Sequence, residues 1–169
     1  MTQTDALSIE RTTLTRATKA GVGFAENSLS RFHYLLTGYW LIFWLLNGLD
    51  KFFNEPTFFG VTRDAKFVDY FGSIGLPEPV AMFALYGIGV YELALGALFF
   101  LALLYLDRFK TLILTGLELS LGVFVVFSLG DILFGDRREL WEHGCYIFLV
   151  TVSYLVAQRH LSLSMEQGR

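Results

Sequence analysis

Residues Tyr86–Leu106 read YGIGVYELALGALFFLALLYL, an apolar run of 21 residues holding one charge, Glu92. That length crosses a bilayer. A carboxyl group near the middle of a membrane helix costs roughly 2.5–3.5 kcal/mol when left on lipid, so Glu92 is expected to face protein. Gly89, Glu92 and Gly96 fall at i, i+3 and i+7, on one helix face. A small–polar–small stripe lets a second helix approach closely and puts the carboxyl at the contact.

The stretch has an echo downstream. Residues 92–103, ELALGALFFLAL, align with 118–129, ELSLGVFVVFSL. Glu92 matches Glu118, Leu93 matches Leu119, Leu95 matches Leu121, Gly96 matches Gly122 and Leu103 matches Leu129. Apolar helices drawn from few residue types also look alike by chance. On either reading, two consecutive helices carry an expected buried acid, Glu92 and Glu118, one turn before a glycine.

Composition places the whole chain in the same class. Its 169 residues are 54% hydrophobic and 17% aromatic, with a mean hydropathy of +0.50. That is an all-α, polytopic membrane protein without room for a separate soluble domain. The net charge of −3 argues against a nucleic-acid partner. Cys145 is the single cysteine, so neither an internal disulfide nor a cysteine-based metal site is expected.

Residues 1–30 are polar, rich in Thr and Ser, and lack the apolar core of a cleavable signal peptide. They are read as a tail, residues 31–158 as a four-helix transmembrane domain, and 159–169 as a short C-terminal tail. The first helix, about Phe32–Leu49, is crowded with Tyr34, Tyr39, Trp40, Phe43 and Trp44, a pattern of packing plus interfacial anchoring. An aromatic loop over 52–78 follows. Within it Thr62–Ile74 has the periodicity of an amphipathic interfacial helix, with Phe67, Val68, Phe71 and Ile74 on one side.

Gly75-Leu76-Pro77-Glu78-Pro79 makes a turn into the second helix, about Pro79–Leu106, with Pro79 suited to the first helical position. The third helix is placed at Thr111–Phe134 and the fourth at Leu140–Ala157. Short connections imply an up-down bundle. Lys and Arg divide eight against five between its two ends, with the N-terminus, the 107–110 turn and the C-terminus on the richer side. The positive-inside rule makes both termini cytoplasmic and puts the 52–78 loop outside.

GLDKFF at the close of the first helix, FGSIGLPEPV, YELALG, Asp107-Arg108 and WEHGCYIFLV together resemble the DoxX-like family of four-helix bacterial and archaeal membrane proteins. The resemblance covers about Phe32–Ala157. Its motif positions fall on Gly48, Lys51, Glu92, Gly96 and Arg108. It implies the cytoplasmic (inner) membrane, and it implies membrane subunits of systems that pass electrons from sulfur compounds to quinone, or of redox defence. The sequence carries no flavin or nicotinamide fingerprint. A carrier, if present, would be quinone or haem, or would belong to a partner.

The assigned topology gathers Asn47, Asp50, Lys51, Asp131, Glu142 and His143 at one end of the bundle. They could line a pocket for quinone or another substrate, with Trp44 in its wall and His143 or a carboxylate exchanging protons. The plainer reading is caps and salt bridges at the interface. Glu92 and Glu118 could be a proton path or interhelical hydrogen bonds. His33 and His160 could ligate a haem only if their helix ends converged, and they read better as interfacial residues. No metal site is expected. Three functions remain. One is a redox-linked subunit with a quinone pocket, and the second is a non-catalytic accessory subunit packed against other subunits of a larger respiratory or photosynthetic complex. The third is a small transporter, which would use a broken second helix at Gly87 and Gly89.

Overall fold

The computed structural model describes residues 31–53, 63–105 and 110–167, and among these all regular structure is helical. Helix α1 covers 31–53, α2 Arg63–Ser73, α3 Glu78–Leu104, α4 Lys110–Phe134 and α5 Arg137–Gln167. Three of these, Glu78–Leu104, Thr111–Phe134 and Arg137–Arg159, are long and apolar enough to cross a membrane. They mark the chain as a membrane protein. At 1.5 Å per residue the 27 residues of α3 reach roughly 40 Å, more than a hydrocarbon core of about 30 Å.

Turn chemistry sets the breaks. Gly75 takes φ +78° at the end of α2, and Leu76 N–H then bonds back to Phe71 O at 2.9 Å. Gly135 takes φ +75° at the end of α4, where Asp136 N–H bonds back to Asp131 O at 2.9 Å. Both are glycine-terminated Schellman ends, which use the left-handed region that a Cβ disfavours. Asp136 then opens α5. Its Oδ1 accepts from the N–H groups of Arg138 and Glu139, at 3.1 and 3.0 Å. Pro79 sits in the first turn of α3, where no intrahelical donor is needed.

Helix α1 is central. Trp40 and Trp44 have no exposed surface, and they pack with Phe99 of α3, Phe124 of α4 and Val150 of α5. Each indole N–H finds a serine on another helix: Trp40 to Ser153 Oγ at 3.1 Å, Trp44 to Ser120 Oγ at 2.9 Å. These two tryptophans are therefore core residues and not interfacial anchors, because a buried indole needs an acceptor and these serines supply it.

The α1–α3 contact is close because glycine stands on both sides. A Cβ on Gly48 would lie 2.9 Å from Leu93 N, one on Gly96 3.2 Å from Leu45 N, and one on Gly89 2.9 Å from Lys51 Cβ. The pairs Leu45/Gly96, Gly48/Leu93 and Lys51/Gly89 run in opposite directions along the two chains, so α1 and α3 are antiparallel. The stripe expected around Glu92 does face a helix, and that helix is α1.

Other expectations change. The fourth helix begins earlier than Leu140 and runs through Gln167, so most of the expected 159–169 tail is helix. Helix α3 is continuous through Gly87 and Gly89, which removes the broken helix that a transporter would use. Helix α1, expected to be the first span, is not among the three spans; its buried face carries His33, Thr37, Asp50 and Lys51, while Leu35, Ile42 and Phe53 lie outside. The 1–30 tail and Arg108 lie outside the described residues.

The glycine contact yields a direct test. Gly48→Ala forces Leu93 backbone aside and should cost roughly 1–3 kcal/mol. Gly122→Ala, with nothing within 4 Å of its Cβ position, should be neutral. Thermal unfolding of both purified variants in one detergent checks the difference.

Candidate functional site

Where α1 ends and α5 begins, charged side chains from all five helices meet, and those of α1, α3 and α4 are buried. Lys51, in the last turn of α1, reaches Glu92 in the middle of α3. Its Nζ lies 2.9 Å from Oε2, off the hydrogen-bond axis, and 3.2 Å from Oε1, which takes the directed bond. Only 9% of the Lys51 side chain and 2% of Glu92 are exposed. Lys51 also donates to Asn47 O at 3.1 Å, the i−4 carbonyl of its own helix. The glycine faces just described let α1 and α3 come close enough for this pair.

A second pair joins α4 and α5. Asp131 is buried, and its Oδ2 lies 2.5 Å from His143 Nδ1. The imidazole packs on Phe127 at 5.2 Å and Phe124 at 6.1 Å between ring centres, which fixes its plane.

Helix α2 lies over these pairs and is held by charge. Arg63 Nε donates to Asp50 Oδ2 at 2.9 Å and Nη1 approaches Glu139 at 3.6 Å. Lys66 reaches Asp136 at 2.8 Å and also Glu139, and Tyr70 donates to Asp136. On the apolar side Tyr70 stacks on Phe134 at 4.8 Å and Phe71 lies beside it at 5.7 Å. The hydrogen bonds to Asp136 from Lys66, then Tyr70 and the Glu139 backbone, hold its carboxyl far below the usual carboxylate range. Burial pulls the Lys66 ammonium down, but bonds to Asp136, Glu139 and Tyr70 outweigh it and raise its proton affinity. Burial, then the Asp136 bond, pushes the Tyr70 hydroxyl up.

Beneath α2 is a cavity of about 250 Å³. Phe67, Tyr70 and Phe71 roof it, Ala84 and Ile88 of α3 face Val126, Phe127 and Gly130 of α4, and Lys51, Asp131 and His143 stand at its polar side. A smaller chamber of about 120 Å³ adjoins it and shares Lys51, Arg63, Phe127, Glu139 and His143. Trp44, Asn47, Glu92 and Glu142 also line the smaller chamber, with Phe43, Phe124 and Tyr146 as its aromatic wall.

Of the residues expected to converge, Lys51, Asp131 and His143 meet at the larger cavity, and Asn47 and Glu142 line the smaller one. Asn47 donates to Phe43 O at 2.8 Å, and Glu142 pairs with Arg138 at 3.4 Å on the surface. Asp50 holds Arg63. Glu92 is buried as expected. Glu118 is not: it is exposed on α4 and takes a bond from Tyr154 at 3.1 Å. The echo fails because the α4 glycine equivalent to Gly96, Gly122, faces open space among the described residues. Gly48 and Gly96 have the helix-contact role just described. His160's side chain lies outside the described residues, and His33 is buried in α1. Among the described residues no three His, Cys, Asp or Glu side chains group to hold a metal ion.

Sequence reasoning missed Arg63, Lys66, Tyr70, Asp136 and Glu139 as parts of the site. Asp136 and Glu139 have the spacing of a capping box, which was a usable signal. The basic face of α2 gave no hint of its partner. No protein-family model, curated protein or solved structure matches the chain. Function therefore rests on this site.

Two outcomes are expected. Removing one member of the buried pair, by Glu92→Leu or Lys51→Met, strands the other and should cost roughly 3–5 kcal/mol, most of it recovered in the double variant. Unfolding midpoints of the three variants in one detergent test this. The α2 latch has its own pH window. The lowered Asp136 supports docking above its ordinary value of 3.8 and loses that support as pH falls through its folded value. The raised Lys66 contributes fully below 10.5 and loses its contribution as pH rises through its folded value. A spin label at exposed Asp69 should stay immobile between these limits, and Lys66→Ala should free it at neutral pH.

Proposed function

We propose that the chain is an integral membrane subunit of a quinone-associated redox complex, and that the cavity beneath α2 holds the ring of a lipophilic quinone-class ligand. One observation carries this reading: a chamber with aromatic and aliphatic walls and a single polar side, set among helices that face lipid. Ligand sites are mostly apolar with a few placed polar groups. Val126 lines the cavity and is 62% exposed on the outside of α4, so a ligand dissolved in the membrane has a lateral way in. Lys51 and the Asp131–His143 pair would meet the oxygen atoms of such a ring, and His143 is the residue suited to proton exchange.

The resemblance to DoxX-like proteins supports the same reading, and so does the place of Gly48, Lys51, Glu92 and Gly96 at one interhelical contact. In this reading α1 is the fourth span. Its outward residues Phe32, Leu35, Ile42, Leu45 and Leu46 are apolar, and its 23 residues at 1.5 Å each reach roughly 35 Å. The termini are then cytoplasmic, in the bacterial or archaeal inner membrane, and electrons come from partner subunits.

An accessory role has one observation of its own. Trp141 and Phe148 of α5 are 76% and 72% exposed and flank Gly144 and Cys145, a surface suited to another membrane subunit.

Gly130 offers the test. It lines the cavity, and a Cβ there meets nothing within 4 Å. Gly130→Leu should therefore fold normally and fill the cavity. In lipid nanodiscs it should weaken binding of a decyl-tailed benzoquinone by roughly tenfold or more, as expected for a lost apolar site. Unchanged affinity, in a variant of unchanged melting temperature, would overturn the quinone reading and leave the accessory one.

A further inference from the structure

We infer that the Asp131–His143 pair makes this cavity choose the oxidation state of its ligand according to pH: the carbonyl form binds with a proton taken up by His143, and the hydroxyl form binds to either charge state of the ring. This rests on the quinone-class reading above and adds a rule for which form is held.

The argument begins with the tautomer. An ionised carboxylate only accepts hydrogen bonds. With Asp131 Oδ2 at 2.5 Å, Nδ1 of His143 must carry the hydrogen in both charge states of the ring. The neutral imidazole then has a bare lone pair at Nε2, and the charged one has an N–H there. Among the described residues Nε2 has no hydrogen-bond partner. Phe127 and Phe124 pack on the ring and keep it from turning to exchange its nitrogens. His143 lines both the larger cavity and the smaller chamber, and with Nδ1 taken by Asp131, Nε2 is the nitrogen left for a ligand.

A ligand carbonyl can only accept, so it needs the N–H and hence the charged ring. A ligand hydroxyl both donates and accepts, so it can give its hydrogen to the neutral ring or take one from the charged ring. A mismatch leaves two acceptors facing each other in a desolvated site, which costs more than a missing hydrogen bond in water.

Other charges also face His143. They are Lys51 of α1, Arg63 of α2, Glu92 of α3, Asp131 of α4, and Glu139 and Glu142 of its own helix. Each is held in an ion pair: Lys51 with Glu92, Arg63 with Asp50 and Glu139, Glu142 with Arg138, and Asp131 with the ring itself. Tyr70 and Tyr146 also line the two spaces, and tyrosines ordinarily titrate near pH 10. Imidazole is the side chain whose charge changes between about pH 5 and 8.

The experiment measures dissociation constants of a decyl-tailed benzoquinone and of its hydroquinone, kept reduced under anoxia. The full chain is held in phosphatidylcholine nanodiscs, with quenching of tryptophan fluorescence as the readout. Between about pH 6 and pH 8 the benzoquinone should weaken by roughly tenfold while the hydroquinone changes little. His143→Gln, whose amide both donates and accepts, should bind both forms with flat profiles. Asp131→Asn can donate to Nδ1 and let the neutral ring carry its hydrogen on Nε2, so benzoquinone binding should lose its pH dependence. Flat or parallel profiles for the two ligands in the unaltered protein overturn this inference and leave the cavity reading standing. A benzoquinone slope that persists in His143→Gln also overturns it. Binding of neither ligand at any pH overturns the cavity reading and this inference together.

Discussion

The buried bond between Lys51 and Glu92 is the constraint on which the rest of the structure depends. A lone ammonium or carboxylate at this depth would be prohibitively costly to bury. Each ion therefore requires the other, and their meeting fixes the register of α1 on α3. Gly48, Gly89 and Gly96 are what make that register possible, since a methyl group at Gly48 or Gly89 would come within 3 Å of the facing helix. The pair does not add stability over an apolar contact of the same shape. It specifies which residues oppose one another, and so places the end of α1 beside α4 and α5.

Along α1, His33, Thr37, Asp50 and Lys51 are buried beside the core tryptophans, while Leu35, Ile42 and Leu46 lie outside. Trp40 and Trp44 bury their rings and spend their N–H groups on Ser153 and Ser120. Large apolar side chains such as Phe83 and Val90 of α3 remain on the surface. In water that arrangement would be a defect; against lipid it is the favourable one, because the hydrocarbon satisfies apolar surface and leaves polar groups to find each other.

The turn at Gly135-Asp136 links fold to site. One carboxylate caps α5, and the same carboxylate accepts from Lys66 and Tyr70 of α2. The roof of the cavity is thus tied to the joint between the two helices that carry Asp131 and His143. A change at the roof is felt at the joint through shared hydrogen bonds.

The sequence by itself determined the helical class, three of the four spans expected from it, and the breaks between them. These depend on local properties: an apolar run of bilayer length, a glycine able to take positive φ at 75 and 135, and a proline at the head of α3. It also marked Glu92 as a residue needing a protein partner, because charge and span length alone demand one. Only the tertiary structure decided which partner. Glu92 and Glu118 sit in nearly the same local sequence, yet one is buried against Lys51 and the other is exposed, because α1 packs on the glycine face of α3 while Gly122 of α4 faces open space. The same holds for Trp40 and Trp44, whose local pattern suits an interface as well as a core, and for Arg63 and Lys66, whose acceptors lie on other helices. Periodicity says which residues share a face. It carries no information about which helix will cover that face, since this follows from how closely two backbones can approach and from which buried charges must find each other.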